Sequence, residues 1–124
     1  NLNNFELYGD DYDTEDGSCV RDYVHVTDVA KAHITGLAYL MSGGQSVLMN
    51  LGTGKGHSNL EIINLIKDKL NLPVKYTVVS RRQGDPDSLV ADINLAQKVL
   101  QFKPRYDIMD ILQTAYDWHL KNDK

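Results

Sequence analysis

Apolar side chains recur at helical spacing in four parts of the chain, and each part carries a signal for where its helix starts or ends. The first helix is predicted to run from Thr27, its expected N-cap, to Gly43, with apolar positions at Ala30, Ile34, Leu37, Ala38 and Met41. The second opens on a capping box formed by Ser58 and Glu61 and stops at Asn71, with apolar positions at Leu60, Ile63, Ile66 and Leu70.

Two further helices are predicted nearer the end of the chain. A short helix carries Leu95, Ala96, Val99 and Leu100. The last helix takes Asp107 as its cap and has an apolar face formed by Ile108, Ile111, Leu112, Ala115 and Trp118.

Three other segments have the patterns of strands. Residues 20–26 form a strand ahead of the first helix, and residues 47–51 are the short, nearly continuous apolar run typical of a strand buried on both faces. Residues 74–79 alternate apolar and polar side chains, which predicts a half-exposed strand. Because these strands alternate with the helices, the sequence predicts an α/β fold.

Composition narrows the classes of protein to consider. The chain has 124 residues, 42% of them hydrophobic, which suits one domain. A net charge of -4 argues against a nucleic-acid surface. No apolar run is long enough to span a bilayer and no secretion leader is seen, and the only cysteine, Cys19, fits a reducing compartment. We therefore expect a cytoplasmic protein without a nucleic-acid or membrane partner. The chain begins at Asn1 rather than Met, so we expect a fragment or a processed chain.

Residues 9–18 are rich in acids and contain two glycines, so we expect a solvated, mobile loop. The acids do not follow the EF-hand ligand spacing. The four histidines, at 25, 33, 57 and 119, share no metal-ligand spacing with one another or with Cys19, so no metal site is predicted.

A nucleophilic pair of Cys19 and His25 would need the two side chains to meet, which sequence does not establish. Paired-carboxylate catalysis by Asp10 and Asp11 has no support either, because pKa shifts are small in a wet loop.

Gly52, Gly54 and Gly56 follow a predicted strand and precede a helix, where a dinucleotide-binding loop belongs. Their spacing departs from G-x-G-x-x-G, and Lys55 is not followed by the Ser or Thr of a P-loop. We prefer a tight turn that lets strand and helix pack closely. The alternative is a cofactor loop, with the arginines at 81 and 82 in place of the usual acidic residue.

Arg21 and Arg82 lie where predicted strands give way to loops, and a turn after Arg82 ends in the carboxylate of Asp85. Two guanidinium groups with planar forks of donors suit a diphosphate, and a carboxylate suits ribose hydroxyls. The pattern therefore indicates a nucleotide-diphosphate ligand. The alternative is a pair of surface arginines paired with Asp22 and Asp85.

Three segments with the order and separation of a known pattern carry a family resemblance: Val20-Arg21-Asp22-Tyr23-Val24-His25-Val26-Thr27-Asp28, Asn50-Leu51-Gly52-Thr53-Gly54-Lys55-Gly56 and Arg81-Arg82-Gln83-Gly84-Asp85. With the preceding Tyr8-Gly9-Asp10-Asp11-Tyr12 segment and Trp118, they resemble the UDP-glucose 4-epimerases of the extended short-chain dehydrogenase/reductase family. The resemblance covers almost the whole chain. It implies the C-terminal substrate-binding part of such an enzyme, residues 1–124, with the last strand-helix elements of a Rossmann-like sheet and without the N-terminal NAD-binding domain.

The resemblance also implies roles for individual residues. It makes Arg21 and Arg82 the pyrophosphate clamps and Asp85 the ribose partner. It places Tyr8 near the uridine and Tyr23 and Asn59 beside substrate-contacting positions, and it puts Leu89 where the family adjusts the space for the sugar. No catalytic residue is implied, because none of the seven tyrosines has a lysine four positions later, as the family's Tyr-x-x-x-Lys pair requires.

The resemblance implies that the full-length enzyme is a homodimer that uses NAD to interconvert UDP-galactose and UDP-glucose through a 4-keto intermediate. The fragment is expected to bind no cofactor and to be inactive. Binding energy concentrated on the UDP would let the sugar turn over without leaving. Two alternatives remain at this stage: another nucleotide-sugar epimerase, decarboxylase or dehydratase of the superfamily, and a stand-alone nucleotide-binding module.

Overall fold

The structure, a computed structural model, describes residues 4–122 and divides them between two compact units. The first unit comprises the described parts of Asn1–Arg21 and Gly56–Val90, and the second those of Asp22–Lys55 and Ala91–Lys124. Asn1, which prompted the expectation of a fragment or processed chain, lies outside the described residues.

Two small sheets form the framework of the first unit. Strand β1 (Phe5–Tyr8) pairs in parallel with β4 (Tyr76–Val79), so that Phe5 lies opposite Tyr76 and Tyr8 opposite Val79. In the other sheet β2 (Val20–Arg21) lies between β3 (His57–Ser58), which runs antiparallel to it, and β5 (Ser88–Leu89), which runs parallel. The predicted strand over residues 74–79 is confirmed at its C-terminal four residues.

Helix α2 (Asn59–Lys69) follows β3 in the first unit and starts at the predicted cap. The Ser58 hydroxyl accepts the Glu61 backbone N–H at 3.0 Å, which satisfies one of the N–H groups that a helix start leaves without a partner. The Glu61 carboxylate does not complete the box and instead bonds to the His57 ring at 2.9 Å. Ile63 is buried, as the apolar face of the helix requires.

The second unit is built from three helices, α1 (Val26–Met41), α3 (Asn94–Leu100) and α4 (Ile108–Asn122). Its core is a small apolar cluster formed by Ala32, Ala96 and Phe102, against which Met49, Leu51 and Leu100 pack. Asp107 caps α4 as predicted, because its carboxylate accepts the Asp110 backbone N–H at 3.0 Å. With strands in one unit and helices in both, the predicted α/β class is confirmed.

The predicted strand over residues 20–26 and the predicted cap at Thr27 are wrong in detail. The strand ends at Arg21, and α1 begins at Val26 with His25 as its N-cap. The ring Nδ1 of His25 accepts the backbone N–H of Thr27 at 3.0 Å. A histidine ring acceptor thus does what a serine or threonine hydroxyl usually does, two residues earlier than the sequence suggested.

The predicted buried strand over residues 47–51 does not form. Leu48 is 95% exposed and Val47 is 39% exposed, while Met49 and Leu51 pack on the core cluster of the second unit. A strand needs a neighbour to take up its backbone N–H and C=O groups, and no segment within residues 4–122 pairs with this one. Apolar content alone therefore gave the wrong secondary structure here.

None of the helices in the described part of the chain is long and apolar enough to cross a membrane.

Candidate functional site

A cavity of about 570 Å³ lies in the first unit. It is lined by Asn4, Phe5, Glu6, Tyr8, Cys19, Asn59, Arg82 and Asp85. Four of the seven residues proposed from the sequence, Tyr8, Asn59, Arg82 and Asp85, are thus brought together, although they come from three separate parts of the chain.

Arg82 supplies the positive charge of this cavity. Its guanidinium carbon lies 4.0 Å from the centre of the Tyr8 ring, a cation–π contact. Among residues 4–122, the Arg82 guanidinium has no hydrogen bond or ion pair with another side chain or with the backbone. A guanidinium whose charge no carboxylate neutralises can bind an anion at little cost in lost protein contacts.

Tyr8 is fixed from the other side by Glu6. The Tyr8 hydroxyl donates to the Glu6 carboxylate at 2.7 Å. Because side chains two residues apart in a strand share a face, β1 presents both residues to the same cavity. The ring plane of Tyr8 therefore has a set orientation beneath the guanidinium.

Arg21 and Asp85 form an ion pair at the cavity wall, with an N–O distance of 2.8 Å. The Arg21 guanidinium also donates to the carbonyl oxygens of Val20 and Pro86, at 2.7 and 3.0 Å. Arg21 itself is not among the lining residues and reaches the cavity through Asp85. The sequence left open that the two arginines are surface residues paired with Asp22 and Asp85. For Arg21, a pairing with Asp85 is present. Asp22 pairs with neither arginine.

Asn59 lies at the start of α2 and ties that helix to Cys19. Its backbone N–H donates to the Cys19 carbonyl at 3.1 Å, and its side-chain amide donates to the Cys19 sulfur at 3.1 Å. Cys19 is buried. His25 belongs to the second unit, where its ring bonds to the Thr27 N–H and, at 2.9 Å, to the Thr114 hydroxyl. The structure thus gives a nucleophilic pair of Cys19 and His25 no support.

Besides Arg21, two of the proposed residues do not line the cavity. Leu89 in β5 lies opposite Arg21 and is 61% exposed. Tyr23 belongs to the second unit, where it is half-buried.

Four further residues line the cavity that the sequence did not point to: Asn4, Phe5, Glu6 and Cys19. Once Tyr8 is assigned to the ligand, the two-residue period of a strand points to Glu6 and Asn4 on the same face. No comparable local signal marks Cys19, whose position depends on its contact with Asn59, 40 residues along the chain.

The acids of segment 9–18 are exposed to solvent, as composition predicted, but the segment is anchored by buried residues and by hydrogen bonds. Tyr12 and Ser18 are buried, with 4% and 0% of their surfaces exposed. The Asp16 carboxylate accepts the backbone N–H and the hydroxyl of Ser18, at 2.9 and 2.8 Å, and the hydroxyl of Ser58. Local hydrogen bonds to these acids fold the segment on itself, a pattern that charge content does not show. Within residues 4–122 no three acidic, histidine or cysteine side chains are grouped so as to hold a metal.

The glycine-rich segment 52–56 is a tight turn around a carboxylate. The backbone N–H groups of Thr53 and Gly54 donate to Asp22 at 2.8 and 2.9 Å, and a Cβ on Gly52 would lie 2.4 Å from that carboxylate. Burial alone would raise the pKa of Asp22, but the hydrogen bonds from Thr53, Gly54 and Ala91 outweigh it and lower the pKa. Since the N–H groups already bind this carboxylate, the turn does not fit a dinucleotide phosphate.

The chain is similar to known proteins in both sequence and fold. The chain is 44% identical over 120 residues to the UDP-glucose 4-epimerase of Rhizobium leguminosarum bv. trifolii, covering 97% of this chain and 37% of the relative. Its fold matches the UDP-glucose 4-epimerase of Stenotrophomonas maltophila, solved with NAD and formylated UDP-arabinopyranose, with a TM-score of 0.91 and 41% identity over 95% of this chain and 35% of that one. The Bifidobacterium longum UDP-glucose 4-epimerase, solved with NAD+ and UDP, matches with a TM-score of 0.87 and 39% identity over the same shares.

No family model matches the chain. The similarity to UDP-glucose 4-epimerases in both sequence and fold confirms the resemblance predicted from the three motifs. The chain spans about a third of the length of the relatives it matches.

Proposed function

We propose that this chain, a homologue of the UDP-glucose 4-epimerases, is the C-terminal part of such an enzyme and holds the uridine diphosphate of its UDP-hexose substrate. The observation that carries the proposal is Arg82, a cation that pairs with no carboxylate among residues 4–122, on the wall of a cavity that also presents Tyr8 and Asp85. A diphosphate supplies the missing negative charge, an aromatic ring supplies a surface for a base, and a carboxylate accepts ribose hydroxyl protons.

The geometry supports separate roles for the two arginines. Arg82 is the direct diphosphate ligand, because its charge is not neutralised by the protein. Arg21 holds Asp85 through one carboxylate oxygen, Oδ1, and the other oxygen has no hydrogen bond to the described residues. The second oxygen is then available to a ribose hydroxyl while Arg21 adds positive charge behind it. Asn59, Tyr23 and Leu89 stay as proposed substrate contacts from the resemblance.

The activity of the complete enzyme is part of the same proposal. It would interconvert UDP-galactose and UDP-glucose as a cytoplasmic homodimer that uses NAD. The turn at 52–56 does not fit the NAD diphosphate, since its N–H groups bind Asp22, so we propose that NAD is held by residues other than these 124. The residues described above would keep the nucleotide in place during turnover, so that only the sugar moves.

The experiment compares UDP binding by the chain and its Arg82→Ala variant in isothermal titration calorimetry. Losing one charged clamp should cost about 2 to 3 kcal/mol of UDP binding free energy. Uridine, which lacks the diphosphate, should bind both proteins equally well. Arg82→Lys should recover only part of the loss, because an ammonium cannot make the bidentate contact.

Arg105→Ala is the matched control, because it removes an exposed arginine of the second unit and leaves in place the backbone N–H that bonds to Asp28. It should bind UDP like the unmodified chain. Equal UDP affinity in the Arg82→Ala variant and the unmodified chain would remove Arg82 from the site and defeat the proposal.

A further inference from the structure

Arg81 precedes the proposed diphosphate ligand Arg82 in the sequence, and its guanidinium contacts several other side chains. Its Nε donates to the Asp11 carboxylate at 2.6 Å, and its Nη2 donates to the Asp11 backbone carbonyl. Its guanidinium carbon lies 4.1 Å from the centre of the Tyr12 ring, and its Nη1 is 3.8 Å from the Asp87 carboxylate. The Arg82 guanidinium lies over the Tyr8 ring and has no ion pair within the described residues, so the two adjacent arginines have different surroundings.

The contact between Arg81 and Asp87 closes the base of a loop. Residues 82–86 lie between these two side chains and carry both Arg82 and Asp85. Inside the loop the Asp85 N–H donates to the Arg82 carbonyl at 3.3 Å, and beyond it the Asp87 carbonyl accepts the Val20 N–H at 2.8 Å. The two ends of the loop are thus held to each other, and one end is held to β2.

Tyr12 supports Arg81, because its ring packs against the guanidinium. The residue is 4% exposed, and its hydroxyl is buried without a hydrogen-bond partner in the part of the chain described. Burial raises the pKa of Tyr12, so the phenol is neutral. The packing of Tyr12 against Arg81 needs a glycine at position 9, because a Cβ there would come within 2.6 Å of the Tyr12 ring and 2.7 Å of Arg81 Cγ. Gly9, Tyr12 and Arg81 therefore pack as one group beneath the loop.

We propose that Arg81 is a positioning residue, which holds the 82–86 loop so that Arg82 faces the diphosphate of the ligand, while Asp85 is held separately by Arg21. The inference rests on the proposed function, since it assigns Arg81 to the same cavity. Arg81 itself is bound to Asp11 and Tyr12 and is not among the lining residues. It acts on the ligand through Arg82.

The test is a double-mutant cycle on the dissociation constant for UDP, measured by calorimetry with the 124-residue chain. Arg81→Leu should weaken UDP binding about tenfold, and Arg81→Lys, which keeps the charge but loses the fork, should weaken it by a smaller factor. In an Arg82→Ala background, Arg81→Leu should change UDP affinity by less than about twofold, because the residue it positions is gone. Uridine affinity should stay the same in all variants.

Arg105→Leu is the matched control and should leave UDP affinity unchanged. If Arg81→Leu does not fold, Asp11→Ala decides instead, because it removes the partner of Arg81 from an exposed position. It should weaken UDP binding about threefold, and only when Arg82 is present.

The outcomes separate the inference from the proposed function. Equal weakening by Arg81→Leu with and without Arg82 would make Arg81 an independent ligand or a purely structural residue and would overturn the inference. So would an unchanged UDP affinity, or a parallel loss of uridine binding. An unmodified chain that binds UDP no better than uridine would overturn the proposed function, and the inference with it.

Discussion

Arg21 and Arg82 show what sequence can and cannot establish about single residues. Their positions beside loops and their residue type predicted anion ligands. The structure shows that the Arg21 charge meets the carboxylate of Asp85, 64 residues away in the chain, whereas Arg82 meets an aromatic ring. Such distant partners decide whether an arginine is available to a ligand. The local pattern is the same for both residues.

A prediction at the residue scale concerns the hydroxyl of Tyr12. It is buried and has no hydrogen-bond partner within residues 4–122, so it has lost water without a replacement. Tyr12→Phe should leave the free energy of unfolding unchanged or raise it by about 1 kcal/mol. UDP affinity should not change, because the phenylalanine ring still supports Arg81.

Urea denaturation of the two proteins measures this difference, with Tyr116→Phe as a control that should have no effect. A loss of more than about 1 kcal/mol in Tyr12→Phe would show that the hydroxyl has a bonded partner in solution.

Helices were predicted better than strands, and the reason lies in the range of the interactions. The starts of α2 and α4 depend on caps within three residues, at Ser58 and Asp107, which can be read from adjacent positions. Strand β1 depends on β4, with Phe5 opposite Tyr76. Residues 47–51 have a strand pattern but no partner among the described residues. A strand is defined by its neighbour, and a pattern in one segment does not supply one.

A prediction at the element scale concerns the turn at 52–56. Replacing Asp22 by Asn should lower the stability of the folded chain. The carboxylate accepts hydrogen bonds from Thr53, Gly54 and Ala91, whereas an amide offers one acceptor oxygen. Asp22→Asn should lower the free energy of unfolding at pH 7 by about 1 to 2 kcal/mol, toward the low end because the carboxylate is partly exposed to water.

The pH dependence of this loss has a defined sign. Burial opposes the charged form of Asp22, but the hydrogen bonds prevail and lower its pKa in the folded chain. The folded state therefore gains stability above the unfolded pKa, about 3.9, and loses that gain as the pH falls through the lower, folded value. Denaturant titrations should show a large difference between the unmodified chain and Asp22→Asn at pH 7 that shrinks as the pH falls below about 4. A difference that is constant from pH 7 to pH 3 would contradict this account.

At the scale of the whole molecule, the proposed function assigns ligand binding and catalysis to different residues. Four of the proposed nucleotide contacts line one described cavity, although the chain carries a net charge of -4 that opposes any anion at long range. Local charge at Arg82 and Arg21 must therefore outweigh the global charge. The resemblance implies that catalysis needs a Tyr-x-x-x-Lys pair and a cofactor site; no tyrosine of this chain has a lysine four positions later, and the N–H groups of the glycine-rich turn bind Asp22.

The prediction at this scale is that the 124-residue chain binds UDP but interconverts no UDP-sugars. The family resemblance implies that a Tyr-x-x-x-Lys pair transfers the proton, and no tyrosine here has a lysine four positions later. Incubation with UDP-galactose and added NAD should give no more UDP-glucose than a blank without protein. Calorimetry with UDP on the same preparation shows that the protein is folded and competent to bind. Conversion that rises with protein concentration and disappears in the Arg82→Ala variant would show that this chain contains catalytic groups, and the division between binding and catalysis would then be wrong.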